Sequence, residues 1–177
     1  MKLHTVFPDS ETIREMSAGG LYRTAPVSAE ILSDVKTPIE VLKILKNISV
    51  HCYLLESVSE SGDWGRYTFL GYDPSMEITC LDGQMKAGSL CVETRDPGHY
   101  IRQIIEENKS PRFSNLPPFT GGLVGYFSYD YLKYSEPSLR LDASDTEGFQ
   151  DVDLMLFDKV IAFDHFRQKI ILIVNIK

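Results

Sequence analysis

Five apolar residues stand in a row at Ile170-Ile171-Leu172-Ile173-Val174. The run is far short of the roughly 20 apolar residues that a membrane-spanning helix needs. A strand with one wet face would alternate, so this run demands a strand with cover on both faces. Such a strand needs neighbours. Residues 153–163 read as one long strand that returns along 169–176 through the turn Asp164-His165-Phe166-Arg167-Gln168. The chain stops at Lys177, one residue past the last strand. A doubly apolar strand in that place is expected to lie naked here, with covering polypeptide continuing beyond Lys177 in the natural protein.

Upstream, the hydrophobic period sets the remaining elements. Pro8-Asp9-Ser10-Glu11 opens a short helix with Ile13 and Met16 on one face and Gly19-Gly20 as its stop. Residues 21–28 look extended, broken by Pro26. Thr37-Pro38-Ile39-Glu40 is a helix start, with Thr37 as cap, Pro38 at the first helical position and Glu40 completing a capping box. Ile39, Leu42 and Leu45, with Val41, Ile44 and Ile48, supply its buried stripe. From residue 50 the period becomes two, giving strands over 50–57, 66–71 and 76–81. Asp82-Gly83 is a hairpin signal, and 90–94 is expected to pair back after it. Asp96-Pro97 opens another helix with Ile101, Ile104 and Ile105 inward. The prolines in 110–118 make a stiff connector, 122–129 is a glycine-rich central strand, and 134–151 is a long acidic loop.

Composition narrows the function classes. With 43% hydrophobic and 24% charged residues in 177, the chain has the material of one folded domain with a real core. Eighteen basic against 25 acidic side chains leave a net charge of −7, which argues against nucleic acid as a partner. Pro8 and Asp9 arrive before a signal-peptide core can form, so no export or membrane segment is expected and the cytoplasm is the expected compartment. Cys52, Cys80 and Cys91 are odd in number and lack C-x-x-C spacing, which fits reduced, buried thiols rather than disulfides or zinc ligands.

The familiar catalytic signatures for phosphate loops, nucleophile elbows and zinc helices are missing from the sequence. Asp164-His165 resembles an acid–base pair, but neighbours in a turn diverge, and a turn histidine is more often a surface hydrogen-bonding group. Asp151 and Asp153 are read as two solvated acids before a strand rather than as metal ligands. Gly121, Gly122 and Gly125 are read as permitting close backbone approach rather than cradling an anion. One stretch has the makings of a small-zwitterion site. Leu54-Leu55-Glu56-Ser57 ends a strand that faces a second strand beginning at Arg66. Glu56 or backbone carbonyls suit an ammonium, Arg66 a carboxylate, and the leucines an apolar side chain. On the residues alone, a plain hairpin with a wet loop explains the same pattern.

Taken in order, L-L-E-S at 54–57, G-R-Y-T-F-L-G-x-D-P at 65–74, G-G-L-V-G-Y-F-S-Y-D at 121–130 and V-x-x-F-D-H ending at His165 resemble the amino-terminal region of anthranilate synthase component I, as does Asp34-x-x-Thr37-Pro38. The resemblance runs from about residue 21 to residue 176. It implies an α+β fold of mostly antiparallel sheets with flanking helices, part of a larger α/β/β/α layered sandwich completed by a missing carboxyl-terminal region. In the family, chorismate is converted to anthranilate and pyruvate for tryptophan biosynthesis, with Mg²⁺ and with ammonia from a glutamine amidotransferase subunit, under feedback inhibition by L-tryptophan. The implied tryptophan-binding residues are Leu55, Glu56, Ser57 and Arg66. The implied catalytic residues and Mg²⁺ ligands lie in a carboxyl-terminal chorismate-binding domain outside residues 1–177, so a heteromeric enzyme is expected in which this fragment alone is inactive. Two other readings stay open: aminodeoxychorismate synthase component I, and a stand-alone amino-acid-binding regulatory module. The loop at 134–151 is first a solvated loop and second a surface for the amidotransferase.

Overall fold

The computed structural model describes residues 6–56, 63–136, 138–139 and 147–177. Among them the elements run, in chain order, α1 (Ser10–Ala18), β1 (Ala25–Leu32), α2 (Pro38–Leu45), β2 (Cys52–Glu56), β3 (Tyr67–Tyr72), β4 (Met76–Leu81) and β5 (Gln84–Ala87). They continue with β6 (Leu90–Glu93), α3 (Pro97–Glu107), β7 (Gly122–Phe127), α4 (Leu132–Ser135), β8 (Val152–Phe157), β9 (Lys159–Asp164) and β10 (Lys169–Ile176). The result is an α+β fold of two five-stranded sheets in two units. One unit draws on 1–74, 108–122 and 157–177, the other on 75–107 and 123–156.

The first unit is built on the sheet β1-β10-β9-β3-β2. The apolar run fills the middle of β10, which pairs antiparallel with β1 on one side and β9 on the other. Ile170 packs with Leu45, Leu70 and Phe163 on one face. Ile171 and Ile173 pack with Val160 and Ala162 on the other, beside Phe69 and Phe119. Ile170, Ile171 and Ile173 are at most 4% exposed, and each such burial is worth about 2–3 kcal/mol. The expectation of a naked strand is therefore corrected: β10 is paired along both edges and covered on both faces over 170–173. Only toward its end does it open, with Val174 46% exposed.

Helix α2 begins as its sequence requires. The Glu40 amide donates to Thr37 Oγ1 at 3.3 Å, and the Thr37 amide donates to Glu40 Oε2 at 2.9 Å. Its buried stripe is narrower than expected. Leu45 is buried and Val41 and Leu42 pack beside it, but Ile39, Ile44 and Ile48 are exposed, because a short helix on one sheet face buries a single row. Pro26 does not break β1. It sits within the strand opposite Asn175, and because β1 is outermost in its sheet, with a single bridge from Ser28 to Phe7 on its other side among the described residues, it accommodates a residue without an N–H.

The second unit is built on the sheet β6-β5-β4-β8-β7. Asp82 and Gly83 take φ of +48° and +80°, turning β4 into β5, and β6 then pairs with β5. The strand at 84–87, not 90–94, is thus the direct hairpin partner. Ile101 and Ile104 of α3 pack on Ile78, Met85 and Val152, whereas Ile105 is exposed. The expected long strand at 153–163 is two strands: the chain leaves one sheet at Phe157 and enters the other at Lys159. The glycine-rich strand β7 is outermost rather than central, with Tyr126, Phe127 and the following Tyr129 exposed. Gly125 is needed there because a Cβ at its φ of +155° would overlap the Asp153 carbonyl. Of the cysteines, Cys80 is buried, Cys52 half-buried and Cys91 exposed, which corrects the expectation that all are buried.

Candidate functional site

The expected effector residues lie where β2 ends and β3 begins. Leu55 is 45% exposed, Glu56 is exposed, and Ser57 lies outside the described residues. Arg66 closes a short 3₁₀ turn (Asp63–Arg66), one residue before β3 rather than inside it. Register decides which groups meet. Glu56 stands opposite Thr68 and Thr68 opposite Phe163, while Tyr67 stands opposite Asp164. Paired residues share a face and successive residues alternate, so Glu56 and Thr68 lie on one face and Asp164 on the other. Leu55, opposite Phe69 and so in line with Ala162, shares the face of Asp164.

On the Glu56 face, the wholly buried Thr68 hydroxyl donates to Glu56 Oε1 at 3.4 Å and lies 2.8 Å from Nε2 of His165. On the other face, Arg66 forks onto Asp164. Its Nε donates to Oδ1 at 3.0 Å and its Nη2 to Oδ2 at 2.6 Å. The guanidinium carbon sits 4.9 Å from the Tyr67 ring centre and 5.5 Å from that of Phe166, both within cation–π range. Asp164 Oδ1 also accepts the amides of Phe166 and Arg167 at 3.1 and 3.0 Å. The Asp164 side chain is completely buried. Burial by itself would raise its pKa, but the Arg66 fork and the turn amides outweigh it and hold the carboxyl below its usual range. Asp164 and His165 thus diverge, the acid inward and the imidazole outward.

The three described residues of the tetrad expected from the sequence are therefore not gathered on one face. Leu55 and the Arg66 guanidinium share a face, and Glu56 lies on the opposite one. Nothing in the sequence assigns Asp164, the residue that fixes Arg66, to that role. Its place at the head of a D-H-F-R turn is a local signal for backbone capping, but its pairing with a residue 98 positions away has none.

The second unit holds a polar hub that the sequence reading missed. Asp151 is 2% exposed, not solvated. Its Oδ2 accepts the Tyr134 hydroxyl at 2.7 Å and the Asp82 amide at 2.8 Å, and its Oδ1 lies 2.9 Å from Lys133 Nζ. The Tyr134 oxygen accepts the Gly83 amide at 2.7 Å. Burial and the contacts with Cys80 and Asp151 push the Tyr134 pKa up. Part of the expected acidic loop is thus built into the unit, while 137 and 140–146 lie outside the described residues. No group of three or more His, Cys, Asp or Glu side chains among the described residues is placed to hold a metal ion. None of the described helices is long and apolar enough to cross a membrane.

No family model matches the chain. Individual proteins do. Anthranilate synthase component 1 of Acinetobacter calcoaceticus is 37% identical over 163 residues, which is 87% of this chain and 33% of that protein. Its counterpart in Acetivibrio thermocellus is 32% identical over 174 residues, 96% of this chain and 34% of that protein. The crystal structure of anthranilate synthase component I from Streptococcus pneumoniae TIGR4 superposes with a TM-score of 0.52 at 30% identity, covering 79% of this chain and 30% of that one. The chain spans about a third of the length of the curated relatives it matches. Sequence and fold agree that this chain is a homologue of a one-third portion of anthranilate synthase component I.

Proposed function

We propose that this chain is the amino-terminal, tryptophan-binding and scaffolding part of an anthranilate synthase component I. The complete enzyme would convert chorismate, with ammonia from a glutamine amidotransferase subunit, to anthranilate and pyruvate in cytoplasmic tryptophan biosynthesis. The observation that carries this reading is the 37% identity maintained over 87% of the chain. In this reading the two sheets form part of a larger layered sandwich. The groups that act on chorismate, and the ligands of the enzyme's Mg²⁺, belong to the two thirds of the relatives that this chain does not match.

Residues 1–177 would then hold the effector rather than the substrate. The support is chemical. Leu55 at the end of β2 offers an apolar side chain, Arg66 before β3 a guanidinium on the same face, and Glu56 a carboxylate on the opposite face, with Ser57 next in sequence. The guanidinium would take the carboxylate of L-tryptophan and the acid its ammonium.

The test is turnover. Purified residues 1–177 given chorismate, ammonia and Mg²⁺ are expected to form no anthranilate, while the natural protein that contains them forms anthranilate and is inhibited by tryptophan. Turnover by residues 1–177 alone, or aminodeoxychorismate as the product of the natural protein, would overturn the reading.

A further inference from the structure

We propose that Asp164 is the positioning residue of the effector site: it never touches the ligand, but it aims Arg66 at the ligand carboxylate. The inference rests on the effector reading above and assigns a residue that the reading does not include. An arginine side chain is long, and holding it in one place costs rotamer entropy that a ligand would otherwise have to supply on binding. Here that cost is met before any ligand arrives. The Nε–Nη2 edge is locked by the two-point fork, and the rings of Tyr67 and Phe166 limit motion of the guanidinium plane.

Asp164 is itself fixed. It is buried at the end of β9, its Oδ1 holds two amides of its own turn, and it stands opposite Tyr67 in the sheet. Its rigidity passes to the guanidinium through a planar match that a lysine would not reproduce. Leu55 lies on the same face through Phe69 and Ala162. The fixed guanidinium and the exposed apolar side chain therefore share a face, as an amino acid with a large apolar side chain requires.

A purely structural ion pair would affect every ligand alike, and this gives the test. L-Tryptophan and L-tryptophanamide, which lacks the carboxylate, are titrated calorimetrically into the natural protein containing this chain. Asp164→Asn is expected to weaken tryptophan about tenfold and leave tryptophanamide unchanged. Arg66→Ala is expected to abolish the preference for tryptophan over its amide, and adding Asp164→Asn to it should change nothing further. If Asp164→Asn does not fold, Asp164→Glu takes its place with the same expectations, since its extra methylene displaces the fork. Equal losses for both ligands, or wild-type affinity for tryptophan in the variant, overturn the positioning role and leave the effector reading standing. A wild-type protein that binds neither ligand overturns the effector reading, and this inference with it.

Discussion

Among the described residues, each unit of this chain buries one aspartate against a cation, and the two are held in different ways. Asp164 takes half of its partners from its own turn, the amides of Phe166 and Arg167, and the rest from a single arginine. Asp151 takes its partners from far along the chain, from Tyr134, Lys133 and the amide of Asp82. The first is a local turn that has acquired a long-range cation. The second is a hub that exists only once α4, the β4–β5 hairpin and the start of β8 have come together. Local capping makes a buried acid tolerant of change, and wholly non-local satisfaction makes it brittle.

Substitution by asparagine should separate them most sharply. At 164 the amide oxygen can keep accepting from the turn amides and Arg66 Nε, and only the half-exposed Arg66 Nη2 is left facing the new NH₂. At 151 the new NH₂ must face either the Lys133 ammonium or the Asp82 amide and Tyr134 hydroxyl, donor against donor. Urea unfolding should show a loss of about 3–5 kcal/mol for Asp151→Asn. For Asp164→Asn the loss should be about half that. Equal losses would end the distinction between local and non-local satisfaction.

A pH series sharpens the Asp164 half. Its carboxyl is held below the ordinary value of 3.8, so its contribution is fully present above that value and disappears as pH falls through the lowered folded-state value. Glu30, lowered from 4.5 against burial by hydrogen bonds from Lys169 and Arg167, acts with the same sign. The difference in denaturation midpoint between the wild type and Asp164→Asn should therefore shrink from pH 6 toward pH 3. A difference that stays constant would mean the ion pair contributes nothing.

Two smaller effects place limits on the comparison. Thr37→Ala removes a cap whose partners are all within three residues and should cost about 1 kcal/mol in thermal unfolding. Tyr53 is the opposite extreme. Its hydroxyl is buried among Phe119, Phe157 and Gly71 with no hydrogen-bond partner among the described residues, and burial drives its pKa upward. Tyr53→Phe should leave stability unchanged or raise it by up to about 1 kcal/mol, because no bond is lost and a desolvated hydroxyl is removed. A measurable loss would show that the hydroxyl has a partner.

Legibility in the sequence followed the distance between partners. The capping box of α2, the Asp82-Gly83 turn and the two-faced character of β10 all depend on residues a few positions apart, and each stands in the structure where the sequence placed it. The break at Asp158 did not show, because the charged pair Asp158-Lys159 carries no glycine or proline to mark a change of sheet. The position of β7 at an edge did not show either, since a glycine that admits a neighbouring carbonyl reads the same on one edge as on two. At the candidate site the four residue types were legible, but the division of Leu55, Glu56 and the Arg66 guanidinium between two faces depends on the register of β3 against β2 and β9.

The sequence by itself determined the kinds of elements, their caps and turns, and the chemistry available at the end of β2. These follow from side-chain period and from hydrogen bonds between near neighbours, which the order of residues specifies directly. Only the tertiary structure decided that β10 is covered on both faces, that Asp151 is a buried hub, and that Arg66 forks onto Asp164. Each of those depends on side chains brought together from distant segments, and strand register and burial, which no short stretch of sequence encodes, determine which of them meet.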